Sequence, residues 1–153
     1  IDALKAALSP DAVAAADCRK GRALFDRSCG RCHRLFGAGE SIGPDLTGGN
    51  RTNIDYLLEN IVDPSAVVSR DFRMTIVTRK DGRVVNGLVT ARDDRTLSIV
   101  TPTERITLAL DDVDATTVTA QSPMPEGLLD QLAPDEIRDL VAYLMQPTQV
   151  PPP

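Results

Sequence analysis

The residues with the most specific chemistry in this chain are Cys29-Gly30-Arg31-Cys32-His33, a C-x-x-C-H pentapeptide. Two thiols at that spacing can each form a thioether to one edge of a porphyrin. The histidine that follows is then held where one ring nitrogen reaches the iron, so the stretch reads as an attachment site for one covalent haem c. His33 is the only histidine in 153 residues. A protein ligand on the opposite face of the iron must therefore be of another type, with a methionine sulfur the natural choice. A zinc site built from Cys18, Cys29, Cys32 and His33 is a weaker reading, because Cys32 and His33 are adjacent and the sequence has no second C-x-x-C or H-x-x-x-H half. A thioredoxin-like dithiol needs a βαβ context that the flanking residues do not supply.

The pattern around the pentapeptide supplies elements to hold it. Residues 1–8 form a short Ala/Leu-rich lead-in. Ser9-Pro10-Asp11 opens a helix expected to run to about Arg27, with Ala14, Cys18, Gly21 and Phe25 as a small-residue stripe that permits close approach of another helix. Gly37, Gly39, Gly43 and Pro44 make the next stretch a loop. Residues 53–62 return to helical spacing, with Ile54, Leu57, Leu58 and Ile61 on one face and Asp63-Pro64 as the stop. From Asp71 the period becomes two. Strands are predicted at 72–78, 84–91, 96–101, 105–110 and 116–120, with Lys80-Asp81-Gly82 as a hairpin turn and Asp-Asp and Pro-Thr turns further on. Pro134-Asp135-Glu136 opens a last helix carrying Ile137, Leu140, Val141 and Leu144, and Pro147 ends it.

Gly21-x-x-x-Phe25, Cys29-x-x-Cys32-His33 and Gly43-Pro44-Asp45-Leu46 together resemble the small soluble class I cytochromes c. The resemblance implies a mainly α fold of three to five helices around haem, in which the Pro44 carbonyl accepts a hydrogen bond from His33. It also implies that Leu140-x-x-Tyr143 lies on a last helix crossing the first at Gly21, with Phe25 near Tyr143. Among Met74, Met124 and Met145, it favours Met124 as the axial ligand, in the stiff loop Ser122-Pro123-Met124-Pro125-Glu126-Gly127 before the last helix. Arg51 and Tyr56 are candidates for the haem propionates. The fold class expected is α+β: residues 9–70 and 121–147 as a discontinuous haem domain, residues 71–120 as an inserted antiparallel sheet or small barrel, and residues 148–153 as a Pro-rich tail. Asp63-Pro64-Ser65, Pro123-Met124-Pro125-Glu126-Gly127-Leu128 and the Ile137 to Leu144 run extend the likeness. They resemble the haem-binding domain of planctomycete and verrucomicrobial secreted proteins, often C-terminal to dehydrogenase-like regions.

That likeness implies one-electron transfer by a His33/Met124-ligated haem c, not catalysis, with a redox partner protein or fused dehydrogenase domain as donor. The rival readings are a haem enzyme or gas sensor with a labile distal ligand, and a partner-binding module that uses the β insertion. A net charge of −5 and a pI near 4.8 argue against nucleic acid. No apolar run is long enough for a membrane span. The chain opens at Ile1 without a signal-peptide pattern and is read as a mature or excised fragment, and the resemblance to c-type cytochromes implies the periplasm or another extracytoplasmic compartment. Arg19, Lys20, Arg22, Arg27, Arg31 and Arg34 outnumber Asp17 and Asp26 around the pentapeptide. This basic collar either steers an acidic partner or complements the acidic last helix. Cys18 reads as a buried packing residue, with a dimer through Cys18 or through the β insertion as the alternative.

Overall fold

The structure is a computed structural model that describes residues 1–101 and 103–153; Pro102, half of the expected Pro-Thr turn, lies outside the described residues. The chain divides into two compact units, Ile1–Asp63 with Glu126–Pro153, and Pro64–Pro125. These bounds differ by a few residues from the 71–120 insertion expected from strand periodicity.

The first unit is helical: α1 (Asp2–Ala7), α2 (Pro10–Ala14), α3 (Cys18–Ser28), α4 (Ile54–Val62) and α5 (Pro134–Leu144). The helix expected to run unbroken from Ser9 to Arg27 is two helices. Ser9 caps α2 through the Ala12 N–H, but the Asp17 carboxylate takes the N–H groups of Arg19 and Lys20 and restarts the chain as α3. A carboxylate that captures two backbone donors favours a helix beginning over a helix interior. Cys18 is thus the first residue of α3. The lead-in also has a packing role: Leu8 is only 3% exposed, and Lys5 pairs with Asp55 of α4 at 2.7 Å.

Helix α3 packs on α5. A Cβ added to Gly21 would run into the Asp139 carbonyl and lie 2.8 Å from Tyr143 Cβ, so the two backbones approach as only glycine permits. One turn along, Phe25 and Tyr143 are both fully buried with ring centroids 5.6 Å apart. Leu24, Leu58, Leu140 and Val141 complete the core around them. The segment expected as a Pro-rich tail is bound to this unit. Arg22 donates to the Val150 carbonyl, Arg19 donates to the Pro152 carbonyl at 2.7 Å, and the Tyr143 hydroxyl donates to Gln149 at 2.8 Å. Proline lacks an N–H but keeps its carbonyl, and the α3 arginines supply the donors.

The second unit is one antiparallel sheet of β1 (Thr75–Arg79), β2 (Val84–Arg92), β3 (Thr96–Val100), β4 (Arg105–Ala109) and β5 (Val113–Val118), in the order β4-β3-β2-β1-β5. The fold class is α+β, as expected. The first strand is shorter than predicted because Arg70–Phe72 forms a 3-10 turn. The last starts earlier, directly after a 3-10 turn at Leu110–Asp112. β2 changes partner along its length: Val84 to Gly87 pair with β1, and Leu88 to Arg92 pair with β3 through an irregularity between Val89 and Ala91. Gly87 sits at the change, where a Cβ would strike the Val100 carbonyl. Val77, Leu97, Ile99 and Leu108 form the sheet's own core. In the first hairpin Gly82 takes φ +84°, and Asp81 accepts from the Arg83 backbone at 3.0 Å and its guanidinium at 2.6 Å.

Gly21→Ala should lower the thermal stability of the helical unit by about 2 kcal/mol, an overpacking cost. An unchanged melting temperature would mean that α3 and α5 are not in backbone contact. In the sheet, the bond to Arg83 holds the Asp81 carboxyl down to about 2 from its ordinary 3.8. A depressed carboxyl contributes stability that is complete above 3.8 and lost as pH falls toward 2. The advantage of wild type over Asp81→Asn in amide exchange of the hairpin should therefore shrink across that window; a gap equal at pH 5 and pH 2 would refute the assignment.

Candidate functional site

The pentapeptide continues from α3. Cys29 and Gly30 N–H groups both donate to the Phe25 carbonyl, at 2.8 and 2.7 Å, and Cys32 and His33 N–H groups donate to Cys29, at 3.0 and 2.8 Å. Cys29 is half-buried, Cys32 exposed, and both are free thiols. Burial, then the neighbouring Cys32, pushes the Cys29 thiol up to about 11. Burial also raises Cys32, against the pull of Arg31. Both side chains are thus held as uncharged thiols near neutral pH.

The following loop folds back over this turn. Glu40 N–H donates to the Gly30 carbonyl at 2.9 Å, Gly43 N–H to the Cys32 carbonyl at 2.7 Å, and Leu46 N–H to the Arg34 carbonyl at 2.8 Å. Gly39, at φ +97°, passes so close to the His33 carbonyl that a side chain would collide with it. The Pro44 carbonyl oxygen then lies 2.9 Å from His33 Nδ1. A carbonyl only accepts, so Nδ1 carries the proton and, in the neutral ring, Nε2 keeps its lone pair. Gly43 forms the floor under the imidazole: a Cβ there would lie 2.7 Å from Cε1, 2.9 Å from Nδ1 and 3.3 Å from Nε2.

This donor set fits covalent haem c: two unpaired thiols at the attachment spacing, and an imidazole whose Nδ1 is tied down, leaving Nε2 to present its lone pair when the ring is neutral. It does not assemble a zinc cage. Among the described residues no group of three or more His, Cys, Asp or Glu could hold a metal ion. Cys18 is half-buried, and its sulfur accepts from Gln146 Nε2 at 3.2 Å.

Cys29, Cys32, His33 and Pro44 are therefore gathered in one place in the helical unit. Arg51 belongs to the same unit but is buried. Its Nη1 donates to the carbonyls of Leu144 and Gln146, its Nη2 to the Thr47 carbonyl, and its buried Nε has no partner. Tyr56 lies exposed on α4, 43% accessible. Met124 belongs to the other unit, half-buried, with its N–H donated to Ser122 Oγ at 3.1 Å, while the Ser122 N–H donates to Ser65 Oγ. Met74 directly precedes β1 and exchanges backbone bonds with Gln121 and Thr119; Met145 follows α5 and packs on the helical core. Of the collar, Arg19 and Arg22 are engaged with the C-terminal carbonyls, and Lys20 and Arg27 line a groove with Asp135, Glu136 and Asp139 of α5.

Two contributors were missed in the sequence. Phe36 takes φ +52°, the one non-glycine positive φ among the described residues, and its ring lies under the Arg51 guanidinium at 4.8 Å. Thr47 Oγ1 accepts the Phe36 N–H at 2.9 Å. The available signal was an aromatic beside Gly37 in a chain with only three phenylalanines.

Gly43→Ala should push the imidazole or the loop aside and weaken the bond between His33 and Pro44. The check is NMR of the His33 ring proton, whose protection should fall about tenfold on loss of roughly one net hydrogen bond; unaltered protection would show that Gly43 is not the floor of the ring.

Against known proteins, no curated protein matches the chain. Among solved structures, the 1.55 Å crystal structure of the pleiotropic translational regulator Hfq is matched at 17% identity over 46% of this chain and 97% of that chain. Its TM-score of 0.31 is too low to bear on fold or function. Residues 18–74, less than half of the chain, match the family model for cytochrome c. That family binds covalently attached haem c, and the matched stretch carries Cys29, Cys32, His33 and Pro44, which supports a cytochrome c haem-binding domain here.

Proposed function

We propose that this chain is a one-electron carrier in which Cys29 and Cys32 would anchor haem c, and His33, through Nε2, and Met124 would ligate the iron. The observation that carries the proposal is the 2.9 Å contact between His33 Nδ1 and the Pro44 carbonyl, because it leaves Nε2 as the metal-binding nitrogen. Bound haem c supplies a one-electron couple between ferric and ferrous iron. The chain's own residues hold and tune it. The Pro44 carbonyl fixes ring angle and raises imidazole basicity, and Gly43 keeps the ring from turning. The neighbouring prolines limit the backbone of the Met124 segment, and a thioether ligand favours the ferrous state.

The donor in this reading is a periplasmic dehydrogenase or a fused dehydrogenase domain, as the resemblance to planctomycete and verrucomicrobial haem-binding domains suggests. Among the described residues no helix is long and apolar enough to cross a membrane. Cytochrome c domains are typically extracytoplasmic, and that is the compartment proposed.

The test is protein matured with haem c. Pyridine haemochrome spectra and intact mass should report one haem on two thioethers, and the ferric form should show a near-infrared sulfur-to-iron band that Met124→Ala abolishes. Rapid carbon monoxide binding by untreated ferrous protein, with no such band, would replace the carrier by a haem with a labile distal ligand.

A further inference from the structure

Arg51 is one of two buried polar residues among the described residues, and it has no carboxylate partner there. Its charge is met instead by three backbone carbonyls and a ring face. Nη1 donates to Gln146 at 2.8 Å and to Leu144, both at the C-terminal end of α5, where carbonyls carry the negative end of the helix dipole. Nη2 donates to the Thr47 carbonyl at 3.2 Å, and the guanidinium covers Phe36 at 4.8 Å. The Phe36 ring in turn meets Tyr143 edge-on at 6.5 Å.

Thr47 is the junction. Its N–H donates to Asp45 Oδ1 at 2.8 Å, closing the turn Asp45-Leu46-Thr47, and its hydroxyl accepts the Phe36 N–H. Pro44 enters that turn directly, with Leu46 tied to the Arg34 carbonyl beside His33. A guanidinium fork that holds Thr47 to the end of α5 therefore also limits where the Pro44 carbonyl can lie.

We infer that Arg51 is a positioning residue for the haem ligand: acting through Thr47, it holds the Pro44 carbonyl against His33 Nδ1. This rests on the haem carrier proposed above. It gives Arg51 a role other than contact with a propionate, since both terminal nitrogens are committed to carbonyls. Lysine would keep the charge but lose the planar fork.

The experiment uses holoprotein with haem c, comparing wild type with Arg51→Lys. Solvent exchange of the His33 Nδ1 proton, read by NMR in the diamagnetic ferrous state, should speed up about tenfold, the effect of losing roughly one net hydrogen bond. The midpoint potential should rise, because a less basic imidazole stabilises ferric iron less. A lowered melting temperature with unchanged exchange and potential would overturn the inference and leave Arg51 a structural brace. Should Arg51→Lys fail to fold, Arg51→Gln decides: its shorter, neutral amide cannot bridge the Thr47 carbonyl and the end of α5 together. Exchange should again speed up, and unchanged exchange would overturn the inference. Wild-type protein that carries no haem c would instead remove the carrier reading on which it rests.

Discussion

The closeness of α3 and α5 at Gly21 is the constraint on which the helical unit depends. Without a side chain at that position the Asp139 carbonyl can approach the α3 backbone, and Tyr143 comes to rest on Phe25. That contact fixes where the end of α5 lies against α3. The Leu144 and Gln146 carbonyls then stand where Arg51 reaches them, and Arg51 reaches Thr47 with its other terminal nitrogen. From Thr47 the backbone runs two residues back to the Asp45 turn and Pro44, whose carbonyl meets His33. A helix crossing thus orients a ring on the far side of the loop.

The cost of burying Arg51 bears on how rigid this arrangement is. A buried guanidinium without a carboxylate must be satisfied by dipoles, and leaving any of those dipoles unpaired would be expensive. Three carbonyls and the Phe36 face meet most of that need, with Nε left unpartnered, while Phe36 itself is held in a left-handed conformation that a bulky residue adopts only under constraint. Concentrating such features around the loop that carries Gly43 and Pro44 suits the one fixed ring angle that His33 needs in its proposed role.

The sheet unit follows different rules. It has its own apolar core in Val77, Leu97, Ile99 and Leu108, and its register follows from which residues of β2 face each neighbour. Gly87 lets the strand change partner where another residue would strike Val100. Turn chemistry is local: Asp81 secures the first hairpin through Arg83, and Asp93 closes the next turn by accepting from the Arg95 and Thr96 backbone at 2.8 and 2.6 Å. Five strands of ordinary length with local connections explain why this unit was legible from alternation alone, though its edges were not. Whether residues 70–72 extend a strand or curl into a 3-10 turn depends on pairings, such as Met74 with Gln121, that are distant in sequence.

The amino-acid sequence by itself carried the signals for the proposed chemistry. Cys29, Cys32 and His33 declare it by type and spacing, Gly21 and Phe25 declare a helix contact, and the switch from helical to alternating periodicity declares the inserted sheet. These signals are local and need only a few neighbouring residues to be read. Tertiary structure decided what each loop residue faces: the proton on Nδ1 follows from the Pro44 carbonyl, and the roles of Gly43, Phe36, Thr47 and Arg51 follow from contacts across the loop and the end of α5. It also decided that Asp17 interrupts a helix, since that residue both caps α3 with its carboxylate and donates its backbone N–H to the Asp139 carboxylate at 2.8 Å. The physical reason is the same in each case. A motif states which atoms can react, whereas orientation, protonation and burial are set by partners that only folding brings near.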